Sequence, residues 1–482
     1  MRTAQQLKPH PLRRASRLAP LAALGVILLA SSTRAAALSD NQQASLVKAE
    51  RHERKGWIYL RVEGAPRECG FQHGYLLAKE IAECLRVRRA MWENQSAMEW
   101  AWLVERSSKF FTPRVDEENL AEIDGIVEGL AAAGVQTSRD EIVAFNGYFE
   151  LAWYWWPKEK KKILENAPAP GKQACSSFVA TGSFTADGGV VLAHNTMFDY
   201  PGADANVIID LVPTKGHRIL MQTFPGWIHS GTDFFITDAG LVGSETTIGD
   251  FEGFEENAIP EFVRMRRATQ DAGSIDEWCD IMKQGNNGGY ANAWLLGDVN
   301  TGEIARLELG LKYVRLERTR DGYFCGSNVA EDLKLLRLET TRSEVDVRTS
   351  AAARRVRWKK LMAEHKGRID LELAKRFEAD HFDTYLGKVN PSGRTICGHF
   401  ELDPQPFGKG IPFEPSGTFD AKVVDTRLAK QMAFAARWGT ACGIPFDAAK
   451  FLAKHPQFDW MQDILKSRPA QPWVVFRAGE KK

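Results

Sequence analysis

A helical first third, a strand-rich middle and a mixed remainder predict a layered α+β fold for this 482-residue chain. Three observations carry that expectation. Apolar residues recur at helical spacing from about Gly70 to Trp102, from Glu117 to Ala133 and from Glu141 to Trp156. After Cys175 the period switches to two and stays strand-like for a long way. Helices and strands then return in blocks rather than in strict alternation, which argues against repeated βαβ units.

Taken in order, Trp57–Val62 alternates as a strand and ends at Gly64-Ala65-Pro66, before the helical run that contains His73. A lysine-rich stretch, Pro157 to Lys162, and a Pro/Gly-containing one, Asn166 to Lys172, read as an exposed loop accessible to processing. Beyond it the candidate strands are Ser176–Thr181, Val190–His194, Ala205–Leu211, Arg218–Thr223, Phe234–Thr237 and Leu241–Thr247. Two helices follow, Pro260–Asp271 and Ser274–Gln284. Strands resume at Ala293–Asp298, Ile304–Leu309 and Lys312–Glu317. Helical patterns return at Arg348–Glu364, Leu371–Phe377 and Thr426–Trp438.

The N-terminus reads as an export signal spanning residues 1–37. Arg13, Arg14 and Arg17 precede an apolar run, Leu18 to Ala30, followed by small residues through Ala37. The run is short for a membrane span, and the arginine pair hints at twin-arginine export. Residues 38–174 form a mostly helical N-terminal part, and 175–482 the catalytic part of the same structural domain. With 63 basic and 62 acidic side chains, no basic excess exists to neutralise phosphates, so a nucleic-acid partner is not expected.

Export implies a compartment where disulfides persist. The seven cysteines, Cys69, Cys84, Cys175, Cys279, Cys325, Cys397 and Cys442, are odd in number, so at least one thiol lacks an intrachain partner. No Cys-x-x-Cys or His/Cys cluster suggests zinc. His229 and His399 have nothing beside them at metal spacing, and no cofactor is expected. Gly-x-Ser-x-Gly, Walker and His-Glu-x-x-His motifs are absent from the sequence.

Cys175 is the candidate nucleophile. A cysteine there is otherwise a small buried hydrophobe or half of a disulfide; the functional reading needs a base within reach. A tight turn at Asp187-Gly188 pairs residues whose numbers sum to about 375, setting Cys175 opposite Asp199–Tyr200 and His194 on the same face. Cleavage of Ala174–Cys175 would supply a base directly, because an α-amino group has a pKa near about 8.

Short blocks recur in an order that resembles the phospholipase B-like (lamina ancestor) family, a branch of the N-terminal nucleophile hydrolases related to penicillin V acylase and acid ceramidase. They include Glu63-Gly64-Ala65-Pro66, Gly70-Phe71-Gln72-His73-Gly74, Cys175-Ser176-Ser177, Ala193-His194-Asn195-Thr196 and Phe224-Pro225-Gly226-Trp227. Asp233-Phe234-Phe235, Glu245-Thr246-Thr247, Gly289-Tyr290-Ala291-Asn292 and Gly417 to Val423 continue the series.

The resemblance implies a four-layer αββα sandwich and self-cleavage before Cys175, with both fragments remaining associated. It implies Cys175 as nucleophile, its own amine as base, His194 as the residue that orients the thiol and Asn292 as oxyanion donor. Asp199 is implied as the acid that holds the amine, although two extra residues follow Asn195 here. Met197 stands where the family usually has Trp, and Arg306 is a further candidate whose ordinary role is a salt bridge. The function implied is an exported, self-processing deacylase that cleaves an acyl bond in a lipid through a thioester. Its partners would be a lipid or other small acyl substrate and, peripherally, a membrane. The alternatives are an amidase or acyltransferase on N-acyl substrates, and an inactive lipid-binding protein.

Overall fold

The structure is a computed structural model that describes residues 37–163, 175–203, 206–408 and 410–481. The expected export signal, but for its last residue, and the Asn166–Lys172 part of the expected processing loop with Ala174 lie outside the described residues, whereas Pro157–Lys162, expected as loop, is helical within Trp156–Ile163.

The strands are β1 (Glu50–Arg54), β2 (Trp57–Gly64), β3 (Ser176–Thr181), β4 (Val191–Asp199), β5 (Val207–Pro213), β6 (Ile219–Thr223), β7 (Phe234–Thr237), β8 (Leu241–Thr247), β9 (Asn292–Asp298), β10 (Ile304–Leu309), β11 (Val314–Thr319), β12 (Gly322–Gly326), β13 (Phe382–Asp383), β14 (Lys388–Val389), β15 (Ser416–Asp425), β16 (Ala433–Trp438) and β17 (Val474–Arg477). One sheet has nine strands in the order β1-β2-β5-β6-β7-β8-β9-β10-β11, the other six in the order β12-β3-β4-β15-β16-β17. β13 and β14 form a small separate pair. In the large sheet β2 and β5 run parallel. That pairing places residues on both sides of the expected cleavage point in one sheet.

The two sheets face each other. Ser177 on β3 and Ser244 on β8 share a hydrogen bond between hydroxyls at 2.6 Å, and Gln222 on β6 donates to Asp420 on β15 at 2.6 Å. Strands buried on both faces lose the clean in/out alternation, and β3, β6 and β8 are buried at every position.

Helices cover both outer faces, which completes the αββα order. Helix Pro66–Leu76, with Glu117–Ala132 packed on it, Glu261–Asp271 and Ile275–Lys283 cover the large sheet; Ser350–Glu364 and Leu371–Glu378 pack on the small one. The first two cross almost backbone to backbone. A Cβ on Gly74 would sit 2.2 Å from the Ile126 carbonyl oxygen, and one on Gly129 2.3 Å from that of Phe71.

Most strand and helix expectations hold within a residue or two. The helix expected over Thr426–Trp438 does not: it stops at Ala429, and β16 follows. Its Ala, Leu, Lys, Gln and Met content favours helix locally, but the sheet between β15 and β17 overrides that preference. Buried His73 accepts a hydrogen bond from the Gly226 amide at Nε2, at 2.9 Å, while its Nδ1 has no partner among the described residues.

Candidate active site

Cys175 sits directly before β3 at the edge of the inter-sheet layer, 4% exposed. The register pairs Ser176 with Asn195 and Ser177 with His194. Continuing it by one residue sets Cys175 across from Thr196, not from Asp199–Tyr200. The connection is not the tight turn expected: a short 3-10 turn, Gly182–Phe184, occupies it and shifts the register.

His194 keeps the expected face. Ser177, His194 and Lys422 lie in one cross-strand row, and because side chains alternate, Cys175 points to the same side as Ser177. His194 is thus a diagonal neighbour of Cys175, at a spacing of about 7 Å that a side chain can bridge. It is fully buried, and the Glu245 backbone is the one hydrogen-bonding group that reaches its ring among the described residues. Burial, then the nearby Lys422 ammonium, hold its pKa well below the usual histidine value, so the ring is neutral.

The acid beside Cys175 is not Asp199. Asp199 ends β4, three residues beyond Thr196 and about 10 Å further along the strand. Its alternation turns it away from the thiol, and its charge is felt by Glu414. Two other carboxyls come to the thiol instead: the acceptor atoms of Asp233 and Glu245 and the Cys175 sulfur all lie within 4.8 Å of one another. Asp233 adopts a left-handed backbone, φ 59°, just before β7. Glu245 lies mid-way along β8, 0% exposed.

These two carboxyls face each other and are hydrogen-bonded, so they cannot both ionise readily. Burial lifts Asp233 to about 6, although the bond to Glu245 and the Lys422 charge oppose this. Burial, then the Asp233 charge, push Glu245 well above the carboxylate range. The pair therefore carries one shared proton near neutral pH. The Tyr290 hydroxyl donates to Glu245 Oε1 at 3.1 Å and accepts from Thr247 at 3.0 Å. A thiol and two carboxyls could also hold a cation, but burial favours the shared proton.

Asn292 opens β9 and is fully buried. Its amide faces only acceptors on one side, which assigns the nitrogen there, donating to Glu245 Oε2 at 2.7 Å and to the Ala291 carbonyl at 2.9 Å. Glu245 thereby links Cys175 to Asn292. Burial, then the Asp233 charge, push the Cys175 thiol up to about 12, against the Met197 amide and the Lys422 and Arg354 charges. In the continuous chain the sulfur is a protonated thiol.

Above Cys175 a narrow cleft is walled by Phe149, Trp153, Phe198, Phe224 and Tyr290, with Met197 and Thr196 beside the sulfur. Met197, where the family usually has Trp, forms part of the wall. The one-turn π-helix Leu151–Trp155 delivers Trp153 to this wall, stacked on Phe149 at 4.4 Å. A larger surface cleft near Glu83 and Lys466 gathers an ion pair, at 2.8 Å, and not this acid–thiol cluster. Arg306 pairs with Glu317 as an ordinary salt bridge.

Sequence reading assigned no role to Asp233, Glu245, Tyr290, Lys422 or Arg354. The first four stand inside the recurring blocks quoted above. That membership was their signal. Arg354 had none. The expectation that nothing pairs with His399 is also corrected: its ring nitrogen lies 3.5 Å from Cys397 and 3.4 Å from Cys442, residues far apart in sequence.

The family profile described as Phospholipase B matches residues 84–312. The chain is 30% identical to human putative phospholipase B-like 2 over 154 residues, 27% of this chain and 25% of that protein. It is 25% identical to human phospholipase B-like 1 over 273 residues, 50% of this chain and 47% of that one. Phospholipase B of Crotalus adamanteus is 25% identical over 272 residues, with 50% and 47% covered. The matched part therefore spans at most about half the length of these relatives. Among solved structures, a mutant of conjugated bile acid hydrolase from Clostridium perfringens overlays at TM-score 0.33 and 11% identity, covering 55% of this chain and 89% of that one. Penicillin V acylase from Agrobacterium tumefaciens overlays at 0.28 and 10%, covering 55% and 83%. The layered architecture itself rests on the sheets described above. Over residues 84–312 the chain carries the sequence pattern of the phospholipase B family, and the resemblance read from its ordered motifs holds.

Proposed function

We propose that this chain is an exported, self-processing cysteine hydrolase of the N-terminal nucleophile type, which releases an acyl group from a lipid. The observation that carries the reading is the convergence of Cys175, the proton-sharing pair Asp233–Glu245 and Asn292 beneath an aromatic cleft. A thiol pushed up to about 12 is a poor nucleophile at neutral pH. Cutting Ala174–Cys175 would free an amine on the same residue, and that amine would take the thiol proton. The new amine would stand beside Asp233 and Glu245, which take over the role expected of Asp199.

The sulfur then attacks the acyl carbonyl, and the Asn292 amide turns from Glu245 toward the oxyanion. The leaving oxygen departs with a proton, and water hydrolyses the thioester. The aromatic walls are apolar as an acyl chain requires, but the cleft is closed in this state and must open to admit one; the phospholipase B names of the relatives favour a lipid ester.

Intact mass of the purified protein tests this reading. Two fragments, the larger beginning at Cys175, are expected from the wild type after incubation at neutral or acid pH, and one uncut chain from Cys175→Ala. A thioester trapped on Cys175 with a panel of phospholipids and N-acyl amides then assigns the bond cleaved. An uncut wild-type chain that traps no acyl group at either pH would make the protein a lipid binder instead.

A further inference from the structure

Outside the candidate active site, four side chains from three separate segments meet at one point: His381, Cys397, His399 and Cys442. His381 follows helix Leu371–Glu378, Cys397 and His399 lie on the loop that bridges to Gly417, and Cys442 follows β16. We propose that they form a structural zinc site of the Cys2His2 class, independent of the hydrolase reading.

The spacings between donor atoms fit those of a zinc site. Zinc bonds of about 2.3 Å to sulfur and about 2.0–2.1 Å to nitrogen put neighbouring S and N ligands about 3.5 Å apart. His399 Nε2 lies 3.5 Å from the Cys397 sulfur and 3.4 Å from that of Cys442. All four donor atoms lie within 4.8 Å of one another. The His381 and His399 rings meet at 69°, so both can aim a nitrogen at one centre.

Three surroundings point the same way. Glu401 Oε1 holds His399 Nδ1 at 2.8 Å, which fixes the ring and leaves Nε2 toward the thiols, the usual carboxylate–histidine–metal arrangement. The Ile444 amide donates to the Cys442 sulfur at 3.4 Å, as an amide does to a thiolate. The His381 side chain already reaches the Cys442 sulfur, and its buried Nε2 has no other hydrogen-bond partner among the described residues.

The loop is also anchored before any metal arrives. The Cys397 amide donates to Asp380 O at 3.1 Å, the Gly398 amide to Thr418 at 2.9 Å, and Arg394 holds Asp383 at 2.9 Å. Two thiolates and two imidazoles suit zinc rather than magnesium or calcium. Four protein ligands leave no open position, so the ion would fasten the 380–403 loop to the 440–444 loop and perform no chemistry. Binding releases the two thiol protons.

The test is metal analysis of the untagged full-length protein prepared without chelator. About one zinc per chain is expected, and cobalt(II) exchanged for it should give the visible bands of a tetrahedral site and a sulfur-to-cobalt charge-transfer band. Cys442→Ser and His381→Gln should each lower zinc affinity at least about tenfold with the far-ultraviolet spectrum retained. If those variants fail to fold, Cys175→Ala decides: it should keep the zinc and the charge-transfer band, and their loss would assign the ion to the Cys175 cluster and overturn the proposal. A wild type that binds neither ion, or a peptide map showing Cys397 joined to Cys442 by a disulfide, overturns the proposal.

Discussion

Arg354 donates to the carbonyl oxygen of Cys175 at 2.5 Å from a fully buried position on helix Ser350–Glu364. The same guanidinium holds Ser176 Oγ at 3.0 Å and Asn328 Oδ1 at 2.8 Å, with no carboxylate paired to it among the described residues. Burial lowers its pKa to about 9. It therefore anchors the backbone of the nucleophile while bringing a positive charge toward the sulfur. Arg354→Met should leave three buried acceptors unsatisfied and cost about 3 kcal/mol in urea unfolding. Arg354→Lys, which lacks the planar fork, should keep part of that stability. If both variants unfold like the wild type, the anchor is not needed.

The Asp233–Glu245 pair should set the acid limb of the pH–rate profile. As pH rises through about 6 the pair gains its single negative charge, which is needed to orient the new amine. Activity should therefore rise through that range, and Asp233→Asn should remove the limb and lower turnover about a hundredfold. An unchanged limb in Asp233→Asn would assign the titration elsewhere.

The crossing of helices Pro66–Leu76 and Glu117–Ala132 should tolerate no side chain at its contact. Gly74→Ala places a Cβ 2.2 Å from Ile126 O, a backbone atom that cannot swing away. The expected loss is about 1–3 kcal/mol or more. Gly273→Ala, whose Cβ would meet nothing nearer than 3.5 Å, should change stability by less than about 0.5 kcal/mol. Thermal melts of the two side by side check the contrast.

What could be read in advance follows the range of the interactions. The strand Ser176–Thr181 and the helix near Leu371 were legible because a period of two or 3.6 is local. The face of His194 was legible because alternation survives a register shift, whereas the partner of Cys175 was not, because a 3-10 turn changed the loop length. Asp233 and Glu245 lie on strands β7 and β8 or their approach, and only the packing of one sheet on the other brings them to Cys175. For the same reason Cys442 stayed hidden from His399. Cys397 and His399, two residues apart, were the local trace of that cluster, and only the fold brings His381 and Cys442 to them.

Glu150 gives a pH test of stability that is separate from catalysis. It is buried at 2% exposure, accepts the Glu261 amide at 2.9 Å and is hydrogen-bonded by Asn287. Burial still outweighs those bonds and raises its pKa to about 7. A carboxyl whose folded value exceeds its unfolded one binds its proton more tightly in the folded state. Its contribution is therefore fully present below the unfolded value near 4.5 and is lost as pH rises through about 7. A shift of this size corresponds to about 3 kcal/mol between pH 4.5 and pH 8. Glu150→Gln cannot titrate, so its stability should fall less than that of the wild type over this range, by about that amount. The difference between the two proteins, not either curve alone, is the quantity to measure, because buried His73 and His229 drive the opposite trend. Parallel curves from urea unfolding at the two pH values would mean that Glu150 is already ionised in the folded chain.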